Sequence, residues 1–159
     1  MPDDTRWLDA DEQRAWLKLA GVMLRLAPAL DSQLQRDSEM THFEYLSLAM
    51  LSEAEGRTLR MSALAGLVNA SLSRLSHVVR KLEERGWVER FPCEDSKRVT
   101  MVRLTEPGRV VLVAAAPGHV ETVRSLVFDG LTGREVAVLE RVADHVVSRI
   151  DEAGLPTER

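Results

Sequence analysis

Residues 71–90, SLSRLSHVVRKLEERGWVER, contain the pattern that decides the fold. Apolar residues recur there every three or four positions, which predicts an amphipathic helix over about 72–85. The helix is followed by Gly86, a residue type that commonly comes directly after a helix end. A shorter apolar pattern at 61–68 predicts a preceding helix, and the two are joined by a turn, so we predict a helix-turn-helix. The predicted buried stripe of the second helix is Leu75, Val78, Val79 and Leu82.

The opposite face of this second helix carries donors and positive charge. Ser73, His77, Arg80 and Glu84 follow one another at helical spacing, and Arg74 and Lys81 stand beside them. Hydroxyl, imidazole and guanidinium groups contact phosphates and base edges when a helix enters the major groove of DNA. An ordinary solvated face is the alternative that this helix alone leaves open.

A β-hairpin is predicted directly after the helix-turn-helix. Residues 87–91 and 98–104 favour strands, and residues 92–97 are rich in turn-forming types. A hairpin in this position is a wing. Its basic tip, Lys97 and Arg98, would extend along a DNA backbone or into the minor groove.

Long helices flank this central module. Asp9 opens the first helix, which is expected to run to about Gln35 with a kink at Pro28. Thr41 opens a second helix that is apolar on nearly all sides. After the wing, Thr105 opens a fifth helix that runs to about residue 128, with a kink or break at Pro117-Gly118. A third capping box, at Thr132, begins a sixth helix.

The first and last helices carry apolar seams with three-four spacing. The central module is too small to cover these seams, so burial against a second copy of the chain is the economical arrangement, and packing within one chain is the alternative. The seams consist of Trp16, Leu19, Met23, Leu26, Leu30 and Leu34 in the first helix, and Val136, Leu139, Ala143, Val146 and Ile150 in the last.

Charge is distributed unevenly along the 159 residues. The formal net charge is −4, yet residues 57–109 hold 11 Lys and Arg against 6 Asp and Glu. A basic middle between acidic flanks favours a local anion-binding surface.

The single cysteine excludes an internal disulfide, and no apolar run approaches the roughly 20 residues of a membrane span. We therefore expect a cytoplasmic protein with no membrane partner.

Two motifs resemble those of a known family. LExRGxVxR at residues 82–90 and LTxxGR at residues 104–109 are separated by a wing of the expected length. With the order of the helices, they resemble the MarR family of bacterial transcriptional regulators over nearly the whole chain. The resemblance implies a mainly α fold with a small β-hairpin wing, that is, a winged helix-turn-helix with long N- and C-terminal dimerisation helices. The implied division is 1–40 for the N-terminal dimerisation helix, 41–109 for the DNA-binding lobe and 110–159 for the C-terminal dimerisation helices.

The same resemblance implies a function. A homodimer would bind palindromic double-stranded DNA, act as a repressor, and release the DNA when a small aromatic or phenolic effector binds between the dimer helices and the lobe. Trp16, Met23, His42 and Tyr45 are candidates for that crevice, with ordinary packing roles as the alternative. The positions implied to face DNA are Ser71, Ser73, Arg74, His77, Arg80, Lys97 and Arg98.

Three positions depart from the family pattern. His77 stands where an arginine is frequent, and Ser96 stands where an aspartate usually braces a wing arginine, although Asp95 is adjacent. Leu72 is apolar where a polar residue is common, so it either packs inward or contacts a thymine methyl group.

Other classes of protein fit the sequence less well. A redox-responsive regulator through Cys93 and a winged-helix module that binds protein remain alternatives. The four histidines lack metal-ligand spacing, and no phosphate loop or nucleophile motif is present. We therefore expect no enzyme, no cofactor and no metal.

Overall fold

The computed structural model describes residues 5–94 and 96–153, and of Lys97 only the backbone. Within these residues the fold is mainly helical with a small antiparallel sheet, as predicted. The elements, in chain order, are α1 (Ala10–Ser38), α2 (His42–Glu53), β1 (Thr58–Arg60), α3 (Met61–Leu67), α4 (Leu72–Glu84), β2 (Val88–Cys93), β3 (Ser96–Leu104), α5 (Glu106–Val123) and α6 (Gly133–Glu152).

The three predicted capping boxes are present at the starts of α1, α2 and α6. In each box the N-cap side chain accepts from a backbone N–H in the first turn, and the third helical residue is a glutamate that accepts from the N-cap backbone. The N-caps are Asp9, Thr41 and Thr132. These local interactions explain why the sequence located the helix starts accurately.

Of the kink or break predicted at Pro117-Gly118, the break is wrong, because α5 continues through both residues to Val123. Packing of α5 against α1 and α2 compensates for the backbone hydrogen bond that a proline removes. Gly118 allows close approach here, since a Cβ on it would lie 3.4 Å from Nε2 of Gln33. The irregularity comes later, as one π-helical turn at Arg124–Phe128. Helix α1 likewise continues through Pro28.

The sheet has the strand order β1-β3-β2, so the wing hairpin is extended by a third strand. The β2–β3 ladder is regular from Val88↔Leu104 to Pro92↔Thr100 and then shifts to Cys93↔Ser96. The turn is therefore shorter than the predicted 92–97 segment. Residues 97–99 have no opposite residue on β2, which is the geometry of a bulge.

The core lies in the central lobe and extends to Leu34 of α1 and to Leu112 and Ala115 of α5. The predicted α4 stripe is confirmed, with Leu75, Val79 and Leu82 fully buried and Val78 packed at the edge. Helix α6, in contrast, contains no buried residue. The largest fully buried side chains are Leu34, Met40, Leu48, Leu51, Leu64, Leu75, Leu82, Val79, Val88, Val102 and Ser47.

One described helix, Glu106–Phe128, has the length and the mean hydropathy of 1.3 that a membrane span would need. Its first part packs against α1 and α2 and buries Leu112, Ala115 and His119. A core helix can have the same length and composition, so this feature by itself does not indicate a membrane protein.

Candidate nucleic-acid interface

Helix α4 is anchored on one face and open on the other. Ser71 caps it by accepting from the backbone N–H of Arg74 at 3.2 Å. While the apolar stripe packs into the lobe, Ser73, His77 and Arg80 are all exposed. The structure thus brings the helix residues predicted to face DNA onto one accessible surface, which we call the α4 face: Ser71, Ser73, His77 and Arg80.

Two short contacts order the α4 face. The hydroxyls of Ser71 and Ser73 lie 3.1 Å apart. Nη2 of Arg80 lies 2.8 Å from Nδ1 of His77. Because a guanidinium only donates, Nδ1 of His77 accepts in this contact, which leaves a ring N–H at Nε2. His77 therefore presents an N–H donor to whatever occupies this face.

Arg74 is held at the margin of the α4 face. Its guanidinium carbon lies 4.6 Å from the centroid of the Phe43 ring, on α2. Such a cation–π contact at an exposed site contributes about 0.5–1 kcal/mol. The sequence predicted the exposure of Arg74 but not this aromatic support, since Phe43 and Arg74 are neighbours only in the folded lobe.

The wing residues lie beside the turn rather than at its tip. Arg98 is exposed in β3, within the irregular 97–99 segment. The prediction of a basic tip is corrected in this respect, because β3 begins at Ser96 and includes both basic positions. The side chain of Lys97, and Asp95 as the predicted wing brace, lie outside the described residues.

Two braces that the sequence analysis missed hold the wing. Nε of Arg103 donates to Glu89 at 2.6 Å across the hairpin, and its guanidinium stacks over Phe91. Arg90 donates to Glu83 through its backbone N–H at 3.0 Å and through its guanidinium at 2.6 and 2.9 Å.

The Glu83–Arg90 pair ties the wing to α4. The hydrogen bonds from Arg90 hold the pKa of the Glu83 carboxyl below its usual value. Both residues belong to the LExRGxVxR motif, so the motif offered a signal that could have found this contact. The pair positions the wing relative to α4 and leaves the positive charge of Arg90 paired with a carboxylate.

The LTxxGR motif forms the joint between the wing and α5. The hydroxyl of Thr105 donates to the carbonyl of Gly86 at 2.7 Å and accepts from the N–H of Gly108 at 3.2 Å. A Cβ on Gly108 would collide with the carbonyl group of Trp87 and would lie 2.9 Å from Cδ1 of Leu104. Only glycine fits here without movement of the backbone.

Ion pairing concentrates the remaining positive charge on α4 and the wing. Arg57 and Arg109 both donate to Glu106, and these hydrogen bonds lower the pKa of that carboxyl to about 2. Arg90 and Arg103 are paired as described. Among residues 5–94 and 96–153, no carboxylate lies within 4.0 Å of the charged groups of Arg74, Arg80 or Arg98. Three of the residues predicted to face DNA therefore keep a positive charge that is unpaired within the described part of the chain.

A second polar cluster lies where α1, α2 and α5 meet. The ring of His119 lies 4.3 Å from that of Tyr45 and 5.5 Å from that of His42. Burial lowers the pKa of both histidines and raises that of Tyr45. Asp31 accepts from the backbone N–H of His42 at 2.8 Å, and its charge partly opposes the shift of that imidazole.

The four crevice candidates do not meet within one chain. His42 and Tyr45 belong to the His119 cluster, but Trp16 and Met23 are more than half exposed on α1. Trp16 precedes Asp31 by 15 positions of one helix, or roughly 22 Å along its axis. A single crevice containing all four would need residues from two subunits.

Other chemistry finds little support in the described part of the chain. It contains no group of three or more His, Cys, Asp or Glu placed to hold a metal ion. Cys93 is a free, half-exposed thiol in β2, on the wing.

Comparison with known proteins gives consistent results. The model of the MarR family matches residues 40–100. The crystal structure of Sco3205, a MarR family transcriptional regulator from Streptomyces coelicolor, is similar with a TM-score of 0.89 and 42% identity, over 93% of this chain and 92% of that one. The structure of AbsC, from the same organism, is similar with a TM-score of 0.88 and 34% identity, over 93% and 99% of the two chains.

A curated relative is more distant. The transcriptional repressor MprA of Escherichia coli is 26% identical over 108 residues, which make up 68% of this chain and 61% of MprA. The chain therefore matches less than two thirds of that relative. The two Streptomyces structures, in contrast, align over almost their whole length at identities above 30%. On this evidence, the chain belongs to the MarR family of transcriptional regulators.

Proposed function

We propose that the protein is a sequence-specific regulator of transcription that binds double-stranded DNA as a homodimer. The observation that carries the proposal is the α4 face. One side of the helix is fully buried, while the other presents hydroxyls, an imidazole N–H and the guanidinium of Arg80. No carboxylate of the described residues lies within 4.0 Å of that guanidinium. The similar Sco3205 was crystallised in complex with DNA, which supports the same partner here.

Within this proposal the basic and hydroxyl groups divide into two roles. Ser73, His77 and Arg80 contact base edges in the major groove, with Arg74 at the margin near the phosphates. Arg98 and Lys97 on the wing contact the backbone or the minor groove, and Ser71 contacts a phosphate beside the helix start. Base contacts specify sequence, whereas phosphate contacts contribute affinity that depends on salt.

Within this proposal, the flanking helices hold the two copies of the chain together. Residues 1–40 and 110–159 form the dimerisation part, and residues 41–109 form the DNA-binding lobe. Exposed apolar side chains along α1 and α6 support this division, because they border an apolar groove of about 780 Å³ lined by Leu17, Val22, Leu126 and Leu139, among others. A second chain would bury this surface and place two α4 helices on two half-sites.

Repression and release by a small aromatic or phenolic effector are the remaining parts of the proposal. The His42–Tyr45–His119 cluster supports an effector site, since Oε1 of Gln33 and Nδ1 of His119 are buried without a partner in the described structure. We place the protein in the cytoplasm, where it reaches DNA. A screen of phenolic acids for release of bound duplex tests this part.

Binding to DNA duplexes recovered from a random pool tests the main proposal. We expect the affinity of the parent chain to fall steeply with salt. Arg98→Ala should weaken binding to recovered and scrambled duplexes alike and reduce the salt slope by about one unit. His77→Ala should mainly reduce the preference for the recovered sequence, by about 1–3 kcal/mol. Binding that does not respond to salt in the parent would overturn the proposal and favour a protein-binding module.

A further inference from the structure

Leu72 is an apolar residue in the first turn of α4 that the lobe does not cover. It precedes the fully buried Leu75 by three positions, yet its side chain is 54% exposed. The apolar stripe therefore leaves the core at this point, because the first turn projects beyond the lobe. Of the two alternatives raised by the sequence, inward packing is wrong.

The surroundings of Leu72 are mixed. Ser71 and Ser73 flank it on its own helix. A groove of about 350 Å³ separates it from the wing, and its lining combines polar, basic and apolar side chains: Met61, Ser62, Ser76, Arg98, Val99 and Thr100. Leu72 thus lies close to Ser71, Ser73 and Arg98, which the proposed function assigns to a duplex.

We propose that Leu72 recognises the 5-methyl group of a thymine in each half-site. The N-terminal residues of a recognition helix are those that contact base edges. The thymine methyl is the apolar feature that the major groove presents to a side chain. The hydroxyl of Ser71 and, across the groove, the guanidinium of Arg98 would hold the backbone of the same duplex. This inference rests on the proposed DNA-binding function and adds one specific base contact to it.

Replacing thymine by deoxyuridine tests the contact, because this change removes only the methyl group. In a duplex selected from a random pool by the parent chain, each thymine is replaced singly. We expect one position in each half-site at which the parent binds about fourfold more weakly, the effect of one buried methyl. Leu72→Ala should bind the thymine and deoxyuridine duplexes equally at that position.

Leu67→Ala is the matched control, since Leu67 is 55% exposed on α3 but does not belong to α4. It should keep the parent's preference for thymine. Equal binding of all deoxyuridine duplexes by the parent, or an undiminished preference in Leu72→Ala, would overturn the inference while the proposed function stands. If the parent selects no duplex with salt-sensitive affinity, the proposed function fails as well, so the two failures are distinguishable.

Discussion

The central lobe and the flanking helices bury their apolar side chains to different extents. In the lobe, the stripes of α2, α3 and α4 meet in one core where Leu48, Leu64 and Leu75 have no exposed surface. Helix α6 is as long as many core helices and has a capped start, but none of its residues is buried. Its seam residues Leu139 and Val146 remain 42% and 38% exposed. The comparison teaches that the lobe buries its apolar stripes within one chain, with Leu34 of α1 and Leu112 of α5 in the same core, whereas the seam of α6 stays open, as the proposed dimer requires.

The largest effect should follow from a charge placed in the α6 seam. Leu139→Glu would bury an unpaired carboxylate in the proposed subunit interface, at about 3–5 kcal/mol per site. We expect the dimer dissociation constant to rise by about a hundredfold or more, as measured by sedimentation equilibrium. Arg141→Glu, on the opposite side of α6, should leave the mass of the dimer unchanged. A dimer of undiminished affinity in Leu139→Glu would show that the seam is not the interface.

The second effect concerns the joint between lobe and flank. Gly108→Ala would force a Cβ into the carbonyl group of Trp87, and relief of such overpacking costs about 3 kcal/mol. Denaturant unfolding should show this loss in the free energy of unfolding. Gly66→Ala, at a helical glycine with no atom within 4 Å of the new Cβ, should instead be neutral or stabilising by up to about 1 kcal/mol. Equal effects of the two changes would contradict the tight joint.

A smaller effect is expected from pH, through the histidine cluster where α1, α2 and α5 meet. Burial lowers the pKa of His42 and His119 in the folded chain below the unfolded value of about 6.5. Below pH 6.5 the unfolded chain therefore binds more protons than the folded chain. The free energy of unfolding is highest above that pH and decreases as the pH falls towards the folded-state pKa. Urea unfolding at pH 7.5 and 5.5 should show the decline.

His119→Gln removes one titrating group from the cluster and should flatten this dependence. His145→Gln, at an exposed position of α6, should keep the parent's decline. A parent whose free energy of unfolding is constant from pH 7.5 to 5.5 would contradict the assignment of buried, neutral imidazoles.

The smallest effect should arise on the surface of the lobe itself. Phe43→Leu removes the aromatic ring under Arg74, a contact worth about 0.5–1 kcal/mol, and should weaken duplex binding by about two- to fivefold. Phe43→Tyr keeps an aromatic face and should bind like the parent. Weakening by both variants to the same extent would show that the ring packs in the core without supporting Arg74.

The sequence predicted the elements whose signals are local. Capping boxes at Asp9, Thr41 and Thr132 and the stripe of α4 depend on residues three or four positions apart, and the structure agrees with all of them. Strand β1 was missed because it has three residues and exists only through pairing with β3, more than 40 positions away. Of the kink or break expected at Pro117, the break was wrong for a related reason, since tertiary packing on α1 and α2 keeps the helix continuous.

The candidate site was predicted to the same extent. Exposure of Ser73, His77 and Arg80 follows from helical periodicity, and the structure places them together. The supports of the site, Phe43 under Arg74 and Glu83 beside Arg90, join residues of different elements. Periodicity along one element contains no information about such contacts, because they form only when the elements pack together.

The sequence architecture of DNA selected from a random pool tests the central claim most directly. Pairing of two chains through their flanking helices predicts palindromic sites, with two inverted half-sites whose centres are separated by about 10 base pairs or a multiple of one helical turn, bound by two chains. Recovery of a single unrepeated site bound by one chain, or of duplexes with no shared sequence, would contradict the account.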